Sequence, residues 1–404
     1  MAKQDDKPKD PRELRRQVRE IADSLAIAFI LAMVIRHYVL EVFKIPTKSM
    51  EPTLLGDPWS GDKILVNKFA YDFRGPRRWE IAVFKYPMDT SKNYIKRVVG
   101  LPGETIRVRY GDVFINGAIA RKPWHVQRDI WRLCPHSGEA RSWQSDGSEA
   151  TPNWKLSDGE FAADSLAAQG AMRLSYGRDI LAYESPDDPP HLRQVPRLPT
   201  SDIMVQFQLV PHAMAGSASV EIGVVEPPSR DFSPREPLDV WTVEFPLGKA
   251  ECRPEVRRGD ALFAVGDPCK LAQGRPALVQ VCNVDRTFIV RVDGREILRK
   301  DYEPSPRVFE WNSYITHARV ALLCAQSHVA FRNAGVYVDV YYTDNPDDFA
   351  VRKPYQLGPD DYFVLGDNSV NSNDSRKWEK VPRSYLVGEA FLVLWPLGRM
   401  KPVR

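Results

Sequence analysis

Three stretches of this chain carry side chains whose types and spacing could do chemistry. The first is Ile45-Pro46-Thr47-Lys48-Ser49-Met50-Glu51-Pro52-Thr53-Leu54. Prolines at 46 and 52 exclude a helix there, so Ser49 sits on extended chain with its hydroxyl presented. That hydroxyl either shapes a turn or, with a base beside it, attacks a carbonyl. The second stretch is Tyr94-Ile95-Lys96-Arg97-Val98-Val99-Gly100-Leu101-Pro102-Gly103. Lys96, between Ile95 and the Val98-Val99 pair on a predicted strand, is either an outward, solvated charge or a base. It can be a base only when neutral, which requires burial to disfavour the ammonium. The third is Gly366-Asp367-Asn368-Ser369-Val370-Asn371-Ser372-Asn373-Asp374-Ser375-Arg376. No G-x-S-x-G elbow or other local histidine-triad signature accompanies these serines. The five cysteines, Cys134, Cys252, Cys269, Cys282 and Cys324, include no C-x-x-C pair. That pattern does not support a zinc site, and no metal and no cofactor is expected; the odd count leaves at least one thiol free and the redox compartment open.

The elements that must position these residues follow from composition and pattern. A length of 404 residues implies two or three domains. With 43% hydrophobic residues, and 56 basic against 53 acidic for a net charge of +3, the chain is neither a disordered polyelectrolyte nor a strongly basic nucleic-acid binder. Thirty-three scattered prolines argue for β-structure and loops beyond the first forty residues. Leu25 to Ile35 is the one membrane candidate, and Ile21 to Tyr38 just spans a hydrocarbon core of roughly 30 Å. Arg36-His37-Tyr38 is no small-residue cleavage site, so a removable signal peptide is disfavoured; a buried core helix is the alternative. The basic tail predicts a cytoplasmic segment 1–20, a transmembrane helix 21–42 and an extracytoplasmic body, single-pass in the inner membrane with the bilayer as a partner.

Between residues 124 and 337 the texture divides. Residues 124–200 read as an irregular linker, with Pro186, Pro189, Pro190, Pro196 and Pro199 at its end. Residues 201–337 alternate in short runs such as Ile203 to Val210 and Thr287 to Val292, and Asp293-Gly294 marks a hairpin. This predicts a β-sandwich with a texture similar to concanavalin-like jelly rolls. Asp239 with Glu244 is the nearest approach to paired hydrolytic acids and lacks an intermediate acid, so the sandwich is read as a packing or recognition module. The fold class expected is mainly β, with one N-terminal transmembrane helix, a body formed by 43–123 with 338–404, and the sandwich inserted between.

The three chemical stretches, together with Gly61–Phe69 and the run Ile81-Ala82-Val83-Phe84-Lys85-Tyr86-Pro87, stand in order behind one apolar segment. In this they resemble type I signal peptidases, membrane-anchored Ser/Lys proteases that release exported proteins from their signal peptides. The resemblance covers residues 21 to about 120 and about 355 to 398. It implies Ser49 as nucleophile, Lys96 as general base, Ser372 as the hydroxyl that orients Lys96, and Thr47 with the Ser49 N–H as oxyanion donors. Asp374 and Arg376 correspond to a structural ion pair, and Gly366 to a glycine allowing close backbone approach. Substrate would add as a strand near Asn93 to Lys96, its small side chains entering pockets lined by Phe43, Ile45, Pro46, Met50, Leu54, Ile64, Val83, Tyr94 and Ile95. Implied partners are exported preproteins and the secretion translocon, with no nucleic acid. The chain departs from the family at Lys48, Trp79-Glu80, Val370 and Glu379, none of which removes a catalytic group. A self-cleaving repressor shares the chemistry but calls for a soluble DNA-binding helical domain. A membrane-tethered carbohydrate- or protein-binding sandwich with a degenerate peptidase domain is the non-enzymatic alternative.

Overall fold

Short alternating runs fold almost wholly into strands in the computed structural model, which describes residues 11–34, 39–145, 154–168, 170–183, 198–225, 239–249, 251–304 and 317–403. One antiparallel sheet gathers both ends of the chain. Its strands run in the order Leu40–Lys44, Lys63–Asn67, Leu386–Trp395, Ile81–Tyr86, Asp89–Gly100, Asp361–Leu365, Val381–Pro382, with Lys401–Pro402 against Leu386–Trp395. The run Ile81 to Phe84 is continuously apolar because both faces of its strand are covered. Ile81 and Val83 enter a core with Ile45, Met50, Leu54 and Ile64, whereas Ala82 and Phe84 enter another with Val98, Val364 and Trp378. Burying Phe84 completely is worth roughly 2–3 kcal/mol. A four-stranded sheet, Tyr355–Gln356, Thr105–Arg109, Asp112–Ile115 and Ala118–Ile119, adds a third core around Val99, Ile106 and Phe363.

The insertion is a two-sheet sandwich. One sheet takes Trp154–Ser157, Glu160–Asp164, His328–Val338, Ile203–Pro211, Ala277–Val284, Thr287–Val292 and Arg295–Asp301 in that order. The facing sheet takes Ala261–Val265, Glu255–Arg258, Asp239–Pro246, Ser217–Val225, His317–Ala325, Ala171–Tyr176 and Trp143–Ser145. Their shared core is built on Trp241, Phe207, Phe245, Phe288 and Phe331, all essentially inaccessible. Asp293 and Gly294 both have positive φ, 48° and 78°, the conformation a two-residue hairpin turn requires. Asp239 is chelated by Arg258 at 2.8 and 2.5 Å. It faces the opposite side of its strand from Glu244, five residues on, so the two form no carboxylate pair.

Two expectations differ. Part of the region 124–200 is not irregular linker: Trp124–Ile130 is a helix, and Trp143–Ser145, Trp154–Ser157, Glu160–Asp164 and Ala171–Tyr176 are strands of both sandwich sheets. Strands of three to six residues show too little alternation to be read, though Phe161 and Ala163 do face the core. The prolines 186, 189, 190 and 196 lie outside the described residues. The segment 21–42 is not one helix: a helix spans Pro11–Val34, and the chain is already a strand, paired with Lys63–Asn67, from Leu40. Among the described residues no helix is long and apolar enough to cross a membrane. The first half of the Pro11–Val34 helix is charged and only its second half apolar, with Leu25, Ile27, Phe29 and Ile30 exposed.

Candidate active site

Ser49 lies in a single turn of 3-10 helix, Lys48–Met50, entered through extended Thr47. The proline-bounded segment cannot extend that turn into a longer helix, and Ser49 and Met50 are buried by it while Pro46, Thr47 and Lys48 stay exposed. The loop is held by tight backbone approach. A Cβ on Gly56 would fall 1.7 Å from the Thr47 carbonyl oxygen, so only glycine fits. The Asn368 N–H, from the downstream block, donates to the Ser49 carbonyl at 3.0 Å.

Lys96 comes from the strand Asp89–Gly100, whose register with Ile81–Tyr86 places Lys96 opposite Ala82. Its Nζ donates to Ser49 Oγ at 2.7 Å and to the Ile95 carbonyl at 3.0 Å. At 3% exposure it is a buried amine. Burial is the chief cause that lowers its pKa to about 8; the carboxylates of Asp374 and Asp367 work against this. Those carboxylates are themselves neutralised. Arg376 chelates Asp374 at 2.9 and 2.8 Å, and Arg97 chelates Asp367 at 2.8 and 2.6 Å, all four groups buried. With each acid matched, desolvation decides the state of Lys96.

Asp374 and Arg376 form a buried ion pair at 2.8 Å. Burial pushes the Asp374 carboxyl up, but the Arg376 guanidinium, Ser372 and the Gly366 N–H together hold it below the usual range. Gly366 is pressed between the two serine segments: a Cβ there would meet Ser372 Oγ at 2.2 Å and the Ser49 carbonyl oxygen at 2.5 Å. Ser372 is buried in this contact, yet its hydroxyl makes no hydrogen bond to Lys96 and lies toward Asp374 instead. The expected Ser372–Lys96 hydrogen bond is thus not made; two of the three ammonium donors are taken by Ser49 and Ile95. Thr47 Oγ1 lies 3.4 Å from Ser49 Oγ, on the exposed side.

The expected pocket residues divide into three groups. Ile45, Met50, Leu54, Ile64 and Val83 form one buried cluster, with Phe43 and Ile95 partly exposed against it. Met50, Leu54 and Ile64 are wholly inaccessible, within the cluster against which Phe43 and Ile95 pack. Tyr94 is elsewhere, stacked on Tyr86 at 4.2 Å with its ring 5.7 Å from Lys96 Nζ. Pro46 and Asn93 are exposed. Pairing of Asp361–Leu365 with the Lys96 strand stops at Arg97, so beyond it that edge of Asn93–Lys96 carries no strand among the described residues.

Sequence reasoning missed the Arg97–Asp367 pair and Thr53, whose Oγ1 donates to Asp367 Oδ2 at 2.5 Å. The signal was available: Arg97 and Asp367 directly follow Lys96 and Gly366, and the Val98-Val99 pair already meant a strand covered on both faces. It also missed Arg132, at the start of the insertion, whose Nη2 donates to the Glu51 carbonyl at 3.3 Å, two residues from Ser49. Nothing in the sequence around residue 132 points to that contact.

The chain is similar to known proteins over part of its length. The family described as signal peptidase, peptidase S26, matches residues 18–147 and 325–395. A signal peptidase I of Pseudomonas aeruginosa is 40% identical over 113 residues, 25% of this chain and 38% of that protein. A probable signal peptidase I-2 of Synechocystis is 42% identical over 104 residues, 24% of this chain and 45% of that one. The matched stretches thus span less than half the length of these relatives. A Bacillus subtilis protein of unknown function with a galectin-like fold aligns over 52% of this chain at 11% identity, with a TM-score of 0.36. The sandwich assignment rests on the strand order described above.

Proposed function

We propose that this chain, which belongs to the signal peptidase family, peptidase S26, over those two segments, is a serine endopeptidase that removes signal peptides from exported preproteins. The observation that carries the reading is the buried Lys96 amine 2.7 Å from Ser49 Oγ. With the amine neutral, the contact reverses: the Ser49 O–H donates to the nitrogen lone pair, which takes the proton as Oγ attacks the scissile carbonyl. The Thr47 hydroxyl and the Ser49 N–H meet the oxyanion that forms. The Lys96 ammonium gives its proton to the leaving amine; a water molecule, losing a proton to the again-neutral Lys96, then attacks the acyl carbon, and the ester bond to Ser49 Oγ breaks as Lys96 returns that proton to the serine. Gly366, Asp374 and Arg376 hold this arrangement, and Ser372 supports Asp374 and packs against Gly366 beside Ser49.

Substrate adds along the open edge of Asn93–Lys96, its backbone paired and its small side chains directed to the apolar cluster against which Phe43 and Ile95 pack. The apolar half of the Pro11–Val34 helix anchors the chain in the membrane, leaving the charged half on the cytoplasmic side and the body outside. A tethered binding protein with a degenerate peptidase domain leaves the meeting of Ser49 and Lys96 without purpose. The test is cleavage of a synthetic signal-peptide substrate by the wild type, Ser49→Ala and Lys96→Ala. Both variants lose activity by several orders of magnitude while keeping the wild-type fold, because nucleophile and base act as a unit. Substantial cleavage by either one overturns the reading. Release of the full chain from membranes by alkaline carbonate overturns the anchor.

A further inference from the structure

Cys252 and Cys269 lie across from each other at the base of a hairpin in the sandwich. Cys252 stands three residues before the first residue of the strand Glu255–Arg258, and Cys269 follows its partner Ala261–Val265. The two residues form an isolated antiparallel bridge, exchanging both backbone hydrogen bonds: Cys252 N–H to the Cys269 carbonyl at 3.1 Å and the reverse at 2.8 Å. Residues paired in this way have Cα atoms about 5.5 Å apart, within the range a disulfide spans. Both side chains point into the sandwich core, at 4% and 6% exposure, and the two thiols are in hydrogen-bond contact. All five cysteines are free thiols in this structure, and of the other three Cys282 lies in a separate core cluster, Cys324 contacts Ser165, and Cys134 heads the entry to the insertion.

We infer that Cys252 and Cys269 are a disulfide-forming pair that closes the loop of residues 253–268 and staples the edge hairpin of the sandwich. The hairpin needs such a clasp. Ala261–Val265 is the outer strand of its sheet, and it carries Leu262 and Val265 exposed, an edge that invites slippage and pairing with other chains. The chemistry is a two-electron oxidation by a disulfide-bearing oxidant, an oxidoreductase or oxidised glutathione. Cys269 attacks first. The hydrogen bond from Cys252, with Arg295 assisting, holds its thiol below the ordinary value, while the same bond and burial push Cys252 up. The Cys269 thiolate displaces one sulfur of the oxidant as a thiolate, giving a mixed disulfide. The Cys252 thiol then loses its proton and attacks Cys269 Sγ, closing the Cys252–Cys269 bond and releasing the second thiolate. The oxidant leaves as a dithiol if it is an oxidoreductase, or as two thiols if it is glutathione, and the protein has lost two protons and two electrons. In the cell this step rests on the extracytoplasmic placement proposed above; in a tube it does not.

The full-length wild-type chain, incubated with oxidised glutathione and then alkylated in denaturant without reductant, is expected to show three modified cysteines out of five and one cross-linked peptide pair joining Cys252 to Cys269. Dithiothreitol should lower the melting temperature of the oxidised wild type and leave that of the Cys252→Ser/Cys269→Ser double variant unchanged. Five alkylated cysteines after oxidation, or a cross-link joining any other pair, overturns the proposal. A double variant that fails to fold leaves the peptide map of the wild type as the deciding measurement. None of these readouts uses peptidase activity, so failure of the peptidase reading and failure of this one are separate results.

Discussion

At the scale of single residues the site rests on one desolvated amine. Lys96 is held at about 8 by burial, with two nearby carboxylates each cancelled by an arginine. Cleavage should therefore rise with pH through a single limb near about 8 and level off above it, since only the neutral amine accepts the Ser49 proton. Measured kcat/KM across pH, for the wild type and for His125→Ala, checks this; loss of the limb in the histidine variant transfers the base from Lys96. His37, the other histidine that sequence would raise, lies outside the described residues. Gly366 provides a second test. A methyl there would overlap Ser372 Oγ and the Ser49 carbonyl, atoms of two segments that must stay in register. Gly366→Ala is expected to cost about 1–3 kcal/mol of stability and to lower kcat by roughly 100-fold through displacement of Ser49. Wild-type melting with wild-type kcat would mean that the contact relaxes freely.

At the scale of elements, the parts that a short pattern can announce were legible and the parts made by long-range contact were not. Ser49, Lys96, Asp374 and Arg376 stand in runs whose prolines, apolar flanks and polar cluster are visible locally, and Ile203–Pro211 or Thr287–Val292 are long enough for alternation to show. The strands between Trp143 and Tyr176 are too short for that. The bounds of the N-terminal helix differ from the expected 21–42 because its start lies in a charged stretch that hydropathy passes over, and because Leu40–Lys44 pairs with Lys63–Asn67 further along the chain. Arg132 belongs to this illegible class. It is seated on the sandwich, its backbone paired with Val338, its guanidinium 5.5 Å from the Tyr183 ring and its Nη2 on the Glu51 carbonyl. Tyr183 in turn donates to the Tyr341 carbonyl. The insertion thus grips the loop that carries Ser49. Arg132→Ala should lower kcat by roughly 3- to 10-fold, about 1 kcal/mol for one hydrogen bond, with KM and the pH limb unchanged. Steady-state kinetics read this; an unaltered kcat would make the contact incidental.

At the scale of the whole molecule, the chain leaves for the sandwich and returns side by side, Arg132–Leu133 pairing with Tyr337–Val338, which lets so large an insertion sit in a sheet-bearing body without disturbing its register. The seam beside that exit is ionic. Lys122, from the body, is buried with its Nζ at 2.7 Å from Asp285 of the sandwich and 3.0 Å from Asp339, the residue directly after the last sandwich strand. Asp112 and Asp202 crowd against Asp285, the three carboxylates having oxygens within 4.8 Å of one another, and Arg286 is the further cation that faces them. One buried lysine cannot match so many acids. Burial first, and the charges of Asp285 and Asp339 next, raise Asp202 to about 7; Asp112 moves in the same direction. An unfolded aspartate titrates near ~3.9, so between about 4 and about 7 the folded chain holds a proton that the unfolded chain has lost. Stability contributed by this group is therefore full at the acid end and is lost as pH rises through about 7, at up to about 1.4 kcal/mol per unit. Lys96 acts with the opposite sign and in a later window, adding stability as pH rises from about 8 toward ~10.4, where the unfolded lysine still holds its proton. Melting temperature should accordingly fall between about pH 5 and about 7.5, and Asp202→Asn, which keeps the shape and removes the titration, should flatten that fall. A slope equally steep in Asp202→Asn would place the pH sensitivity outside the seam.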